Sequence, residues 1–383
     1  MATIQEYLQQ RRSYLIDKYH AKLEVLDIQE NVLEEIVEDI LDGSINVTLQ
    51  NGSRRSASVT LSNKDRRYSL DPNGLFWLNT KFRISTGIEI NGNIQWYSQG
   101  IFVLGEVNES STNSSSIITL ELYDKFSLLN GELSGTVTNT IIVANGTNII
   151  TAIDYILTEA NTNQPLLNYT IKPLISTPNT FNLPYTLRID ENSSYFDVLN
   201  TLANAISQEI YFDRDGYPVL SPPVDWDTEP AVFALTDADK LKLSLNKRVD
   251  IANLKNYVRV VGFTSNTGVT YDSIAEDTNP TSPTRTSLVG RREKYISDPV
   301  INTEALADLR SAYELSLSIQ ATEAIAISAI PLDFIQEGTI LTLIDERLNI
   351  IDAERYLIRQ ITIPIVHSGS PMSLDVWRTR DFS

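Results

Sequence analysis

The chain of 383 residues has no cysteine and only two histidines, His20 and His367, near its opposite ends. Without a thiol there is no disulfide framework and no thiolate nucleophile or metal ligand. Two distant imidazoles give no basis for a Ser-His-Asp or Cys-His pair, and a zinc site would need carboxylates for its remaining ligands. Long apolar runs are missing: Thr140-Ile-Ile-Val-Ala144 is typical of the longest, far short of the roughly 20 residues that span a bilayer. Gly-x-Gly-x-x-Gly and the phosphate-cradling Gly-Lys-Ser/Thr are both absent. Positive charge is scarce, since 31 Lys and Arg against 49 Asp and Glu leave a formal charge of −18. Such a balance repels phosphate backbones and argues against tight nucleic-acid binding. The first twenty residues are charged throughout and lack the apolar core of a secretory signal. The Asn-X-Ser/Thr triplets at Asn46, Asn51, Asn145 and Asn168 therefore read as a by-product of abundant Asn, Ser and Thr, in a chain expected to fold in a cytoplasm.

What is present is β pattern. With 42% hydrophobic and 21% charged residues the chain is a folded one, and its length suits two or three domains. Between Asp39 and Asn63, Ile45, Val47 and Leu49 alternate with Asn46 and Thr48; Asn51-Gly52 supplies a turn; Ala57, Val59 and Leu61 then alternate with Ser56, Ser58, Thr60 and Ser62. Side chains on a strand alternate between faces, so this is a hairpin with one apolar face and one face of Ser, Thr and Asn. That polar face suits a wet or assembly-facing sheet better than a reaction pocket.

Strand patterns cover Lys22–Ile28, Ser44–Leu49, Ser56–Ser62, Phe82–Ile90, Ile94–Leu104 and Ser116–Tyr123, with Asn91-Gly92 as a two-residue hairpin turn. They imply a barrel or sandwich, preceded by a short amphipathic helix over residues 1–20 that packs on a neighbour. Asn148 or Thr147 caps a helix carrying Ile149, Ile150, Ile153, Ile156 and Leu157 on one face. Ser193 or Ser194 caps a second, which feeds a hairpin from Glu209 to Leu220 turning at Asp215-Gly216. Strand returns from Val249 to Gly262, and the Asn-, Thr-, Ser- and Pro-rich stretch Phe263–Pro283 reads as an exposed loop. Asn302 caps a helix over 303–317, and strands follow near Thr322–Ile330, Gly338–Ile344, Glu354–Ile363 and Met372–Arg378. The expected fold is mainly β with an α+β insertion. It divides into an N-terminal helix and first β-barrel (1–128), an α+β module (129–235), and a second barrel (236–383) with helix 303–317 and exposed loop 263–300.

Chemistry-bearing groups are few. The acids Glu34, Glu35, Glu38, Asp39 and Asp42 are the densest cluster, better read as a solvated loop and sheet edge than as a catalytic carboxylate pair. Asp213-Arg-Asp215-Gly216 looks like the start of a calcium loop, but lacks the downstream bidentate Glu. Arg54-Arg55, Arg66-Arg67 and Arg291-Arg292 are isolated basic pairs in an acidic protein. Arg54, Arg55, Arg291 and Arg292 are candidates for meeting carboxylates of a neighbouring subunit. No catalytic, cofactor or metal residues are expected. Trp77, Trp96, Trp226 and Trp377 are the candidates for sugar stacking, although Trp96 and Trp377 sit in strand patterns that suit a core.

The order of parts resembles the baseplate hub proteins of phage tails, particularly those of contractile tails and prophages in Gram-positive bacteria. The likeness is carried by Lys22-Leu-Glu-Val-Leu-Asp27 with Asp42-Gly-Ser-Ile-Asn-Val47, Arg54-Arg55 before Ala57-Ser-Val-Thr-Leu61, and Gly100-Ile-Phe-Val-Leu104. Leu120-Glu-Leu-Tyr-Asp-Lys-Phe126, the Tyr257–Gly262 strand, the turn from Pro331 to Glu337-Gly338 and the closing Leu374-Asp-Val-Trp-Arg378 extend it over almost the whole chain. The resemblance implies a homotrimer with two tube-type β-barrels per chain, adapting a sixfold tail tube or distal tail protein to a threefold central spike or tail lysin protein. It implies a virion protein of the tail baseplate, assembled in the bacterial host cytoplasm, with no enzymatic role and no membrane insertion. The tape-measure protein and then DNA pass through its channel without specific binding. Two further expectations follow: residues 21–128 superpose on 236–262 plus 300–383 as related barrels in separate sheets, and the channel wall is net negative with most arginines turned away from it. The alternative class is a cell-wall-acting or carbohydrate-binding tail protein.

Overall fold

A computed structural model describes residues 3–13, 19–225, 228–237, 239–248, 254–263, 270–320, 323–365 and 370–378. Trp226 and His367, the helix positions Leu15 and Ile16, and the start of the expected strand at Val249 lie outside these residues. The chain opens with helix α1 (Ile4–Ser13), then strands β1 (Tyr19–Leu26), β2 (Val32–Ile36), β3 (Ile40–Thr48), β4 (Arg55–Ser62), β5 (Lys81–Ile90), β6 (Asn93–Ser111) and β7 (Ser116–Asp124). A mixed segment holds β8 (Ile141–Val143), α2 (Ile149–Asn163), β9 (Ile175–Ser176), β10 (Leu187–Ile189), α3 (Tyr195–Ala205), β11 (Glu209–Phe212) and β12 (Pro218–Ser221). Then come β13 (Phe233–Leu235), β14 (Lys242–Arg248), β15 (Tyr257–Phe263), β16 (Thr270–Glu276), α4 (Thr286–Val289), β17 (Glu293–Asp298) and α5 (Glu304–Gln320). The chain closes with β18 (Ala324–Ala329), β19 (Ile340–Asp345), β20 (Ile350–Pro364) and β21 (Met372–Arg378).

The fold is mainly β with an α+β insertion, as the sequence pattern predicts. Asn91 and Gly92 both take positive φ, 54° and 81°, and turn β5 into β6. Asn148 and Ser194 cap α2 and α3, accepting from the N–H groups of Ile150 and Asp197. For α5 the capping oxygen belongs to Thr303, which accepts from Leu306, one residue beyond the expected Asn302. Helix α1 packs on its own chain: Tyr7 and Leu8 enter the core and the Tyr7 hydroxyl donates to Asp333 Oδ2 at 2.5 Å.

Three expectations need correction. The two strand sets do not keep separate sheets. They form one 13-stranded sheet whose main path runs β14-β18-β21-β20-β3-β4-β7-β6-β5-β1-β2. The reason is the length of β20: its first half pairs with β19 along one edge, and on that same edge Gln360–Pro364 pair with Ser44–Thr48 of β3. Ile45, Val47, Val59 and Leu120 from the first set and Ile327, Leu343, Ile361 and Leu374 from the second accordingly share one apolar cluster.

Second, the described part of the expected loop, residues 270–300, is not an exposed loop, because β16 and β17 flank β15 in a three-stranded sheet. Alternation of exposed Asp272 and Ile274 around buried Ser273 is a strand pattern, diluted by the polar residues on either side. Third, β15 and α5 leave the second β unit: Val258, Val260, Leu306 and Ala307 join Ile153, Ile156, Leu199 and Leu202 in the insertion's core.

Candidate functional site

The hairpin of β3 and β4 sits in the middle of the large sheet, so its polar side chains extend a face shared by many strands. Ser44, Asn46 and Thr48 stand opposite Pro364, Thr362 and Gln360 of β20 on one side. Ser56, Ser58 and Thr60 meet Tyr123, Glu121 and Thr119 of β7 on the other. The side chains bond across the strands: Ser58 Oγ donates to Glu121 Oε1 at 2.7 Å, the Thr60 and Thr119 hydroxyls lie 3.0 Å apart, and Thr362 Oγ1 donates to Asn46 Oδ1 at 2.9 Å. The last of these crosses the line where the two strand sets join. On β18 this face carries only Ala324, Ala326 and Ser328, short enough for Arg248 of β14 to reach Asp375 of β21 at 2.9 Å. On β3, β7, the outer part of β6 and β21 the charges on this face are Asp42, Glu121, Glu106 and Asp375, with Arg248 on β14 and Arg355 on β20; where the face continues onto β5 and β1 it carries Arg83, Lys22 and Glu24. A shallow depression of about 360 Å³ lies between Asp42, Ser58, Thr60 and Thr362. Hydroxyls and amides of this kind bind water and one another.

Beneath the opposite face, at the end of the β3–β4 hairpin, three parts of the chain meet around Arg54 and Arg55. Asp124 Oδ2 accepts the N–H groups of Arg54 and Arg55 at 2.7 and 2.9 Å, while its Oδ1 takes Ser53 Oγ and the Phe126 N–H. Burial pushes the Asp124 carboxyl up, against the pull of those two N–H groups. Arg55 donates to the Phe212 carbonyl of the insertion at 2.9 Å and to both oxygens of Glu337, in the turn before β19, at 2.7 Å. Arg54 pairs with Glu209 at 2.7 Å and stacks on Tyr211, its guanidinium carbon 3.3 Å from the ring centre. Both arginines are about 5% exposed or less. Their expected place at a subunit contact is therefore corrected: the carboxylates they meet are in the same chain, because a guanidinium leaves water only for a matched, fixed partner.

Beside this junction a single carboxylate gathers three lysines. Glu30, held at φ 68° in the turn between β1 and β2, pairs with Lys81, Lys125 and Lys172. Lys125 also donates to the carbonyls of Leu167 and Gly216 at 3.2 and 3.1 Å, so the first β unit is fastened to the insertion. Burial pulls Lys125 down to about 7 even with Glu30 opposing it. Burial would raise Glu30, but the charge and hydrogen bonds of Lys125, with Lys172 and Lys81, bring it to about 2. Sequence reasoning missed this cluster, because Glu30, Lys81, Lys125 and Lys172 lie far apart along the chain and no local spacing points to their meeting.

The remaining candidates are dispersed. Arg291 lies over the Tyr257 ring at 4.4 Å and faces Glu276 at 3.5 Å, while the Arg292 backbone N–H donates to Asn256. Both stay at the surface of the turn before β17, away from Arg54 and Arg55. The acidic cluster is divided among separate partners: Glu34 with Arg67, Glu35 with Lys22, and Asp39 with the Tyr68 hydroxyl. Asp213 Oδ1 takes the N–H groups of Asp215 and Tyr217 and so builds the hairpin turn. Trp96 and Trp377 are each covered by a cation, Lys22 at 5.0 Å and Arg359 at 4.2 Å, rather than offering an open ring to a sugar. Among the described residues no group of three or more His, Asp or Glu side chains is placed to hold a metal ion, and no helix is long and apolar enough to cross a membrane.

No family model matches the chain, and no curated protein matches it in sequence. Solved structures do match in fold. A tail protein from Neisseria meningitidis MC58 aligns over 95% of this chain and 97% of its own, with a TM-score of 0.63 at 13% identity. The 43 kDa tail protein of prophage MuSo2 from Shewanella oneidensis aligns over 94% and 98%, with a TM-score of 0.57 at 14% identity. The E. coli c3393 protein, a type VI secretion component described as similar to the T4 tail proteins gp27 and gp5, aligns over 90% and 74%, with a TM-score of 0.51 at 9% identity. The chain thus has the fold of these tail proteins and of this type VI secretion component.

Proposed function

We propose that this chain is the structural baseplate hub of a phage tail or tail-like particle, of the contractile, Gram-positive phage or prophage type that its motifs resemble. Three copies form a ring in which two β units per chain supply six positions. One side matches a sixfold tail tube or distal tail protein, and the other presents threefold symmetry to a central spike or tail lysin protein. The hydroxyl face lines the channel, through which the tape-measure protein and then DNA pass.

The observation that carries this reading is one polar face that runs from β7 through β4 and β3 onto β20, joining the two strand sets, with Asp42 and Glu121 on it and no base on this face of β3, β4 or β7. Cationic walls capture phosphates by releasing counterions; a wall of hydroxyls and carboxylates gives no such contact. Its charge still acts on a duplex within the screening length of about 8 Å at physiological salt. The likeness in fold to two tail proteins over nearly their whole length supports the assignment to a virion tail; assembly in the host cytoplasm is part of the same proposal. The role is structural, and Arg291 and Arg292 remain the arginines placed to meet a second subunit.

Electron cryomicroscopy of assembled particles tests this. The expected result is threefold hub density with a net negative channel wall formed by Ser44, Ser58, Thr362 and their neighbours. A hub of any other symmetry, or a positive wall, overturns it. Release of fragments from purified peptidoglycan would favour the cell-wall-acting alternative.

A further inference from the structure

Helix α1 crosses from the first strand set onto the second. It precedes β1 in the chain, yet the side-chain partners of Tyr7, Arg11 and Arg12 are Asp333, Pro331 and Asp239, from 227 to 326 positions away. Tyr7 and Arg11 are both fully buried at this crossing.

Arg11 is held in place by its inner nitrogen alone. Nε donates to the Pro331 carbonyl at 2.9 Å and the guanidinium carbon lies 5.3 Å from the centre of the Tyr19 ring, so the planar group has a set direction. Its end nitrogens, Nη1 and Nη2, reach no acceptor of the protein although the residue is 0% exposed. Every N–H on those two nitrogens is turned into the interior, where the chain supplies nothing to receive it.

The acid of this region stands just out of reach. Asp333 is likewise 0% exposed: its Oδ2 accepts from the Tyr7 hydroxyl, its N–H donates back to that oxygen at 2.9 Å, and its carbonyl accepts from Gln99 Nε2 at 2.9 Å. Its Oδ1 makes no hydrogen bond. Burial raises the Asp333 carboxyl, and the strongest influence holding it down is the charge of Arg11, with the Thr86 and Tyr7 hydroxyls adding to it. The two groups are therefore near enough for charge to act between them, and they do not touch. Left dry, each would carry the desolvation penalty of an unmatched buried ion.

We infer that a bound water molecule bridges Arg11 to Asp333, accepting from an Nη–H and donating to Oδ1, and that this bridged pair fastens α1 across the two strand sets. Water suits the site because it offers both polarities. An anion would accept from Arg11 but meet the carboxyl oxygen, and a cation would do the reverse. The site lies within one chain, so it stands whether or not the ring reading does.

A crystal structure of the full chain at a resolution that shows ordered water tests this directly, together with a crystal soaked in bromide. The expected result is a water within hydrogen-bond distance of Arg11 Nη1 or Nη2 and of Asp333 Oδ1, with no bromide signal at that position. Direct contact between the two side chains, no density between them, or a bromide peak overturns the inference. In solution, Arg11→Met and Asp333→Leu each strand the other partner, and each is expected to speed hydrogen exchange of the Tyr7–Ser13 amides by about tenfold or more. The double variant removes both charges and should exchange no faster than the faster single variant. Effects that multiply in the double variant overturn the coupling between the two residues, and the parent crystal decides the matter even where a single variant fails to fold.

Discussion

At the line between β3 and β20 the two β units are joined by a backbone ladder, with Ile45, Val47 and Ile361 below it and Asn46, Thr48 and Thr362 above. At the line between the β units and the insertion, the joint is made by side-chain charges: Arg55 to Glu337 and the Phe212 carbonyl, Arg54 to Glu209, and Glu30 to three lysines. A ladder needs only alternation, and its outward residues are interchangeable so long as they are small and polar. A buried ion cluster needs each partner, since removal of one strands the other away from water. The two joints should therefore respond very differently to substitution.

The largest effect is expected at Arg55. Glu337→Ala leaves its guanidinium buried with one carbonyl, and a loss of about 3–5 kcal/mol in urea unfolding is expected. The double variant Arg55→Met with Glu337→Leu should recover most of it, since a matched apolar pair removes the stranded charge.

Next is Glu30→Gln, read against pH. Glu30 is held at about 2, below its ordinary 4.5, so its contribution is complete above 4.5 and is lost as pH falls toward 2. The shift corresponds to about 3 kcal/mol. Lys125 is lowered from 10.5 to about 7, so the native state gives up that proton early and stability rises with pH between those values. Removing the carboxylate lowers Lys125 further. The deficit of the variant against the parent should be greatest just above pH 4.5, shrink as pH rises toward 7, where the parent's Lys125 also gives up its proton, and level off above it. A deficit independent of pH would show that the three lysines are not coupled to Glu30.

Gly52→Ala comes third. Gly52 has φ +92° and its missing Cβ would lie 2.7 Å from the Phe196 ring, so a loss of roughly 1–3 kcal/mol is expected. Its N–H also donates to the Ile210 carbonyl at 2.8 Å, and the Ile210 N–H donates to Asn51 Oδ1 at 2.7 Å, so the hairpin loop should separate from the insertion and the Gly52 and Ile210 amides should exchange faster in hydrogen exchange. The smallest effect is expected on the hydroxyl face. Thr60→Ser and Thr362→Ser should stay within about 0.5 kcal/mol of the parent. A loss as large as that of Glu337→Ala would abolish the contrast between the two joints.

The same contrast explains what the sequence made legible. The ladder could be read because period two is a local signal: β3, β4, β5, β7 and β21 fall within a few residues of their expected bounds. Helices α2 and α3 were legible through their caps and apolar stripes. Strands β16 and β17 were not, because one face is exposed and the other meets a helix, which leaves too few apolar residues to show a period. The merging of the two sheets was hidden as well. β20 shows fifteen residues of β pattern whichever partner it takes, and nothing near Gln360 points to Thr48. Arg54 and Arg55 were conspicuous as a pair, but whether an arginine faces a neighbour or its own chain depends on Glu209 and Glu337, far along the sequence.

The β3–β20 ladder also sets a clock on synthesis. Asn46 and Thr362 are separated by 316 positions, and at about 5–20 residues per second a ribosome needs on the order of tens of seconds to make the intervening chain. For that interval β3 can pair with β4 while its other edge waits open beside Ile45 and Val47. Nascent copies on one messenger would then present the same unfilled edge to each other. The hydroxyls along it, with low hydrophobicity and good solvation, are what keeps such an edge from recruiting a neighbour before its own C-terminus arrives.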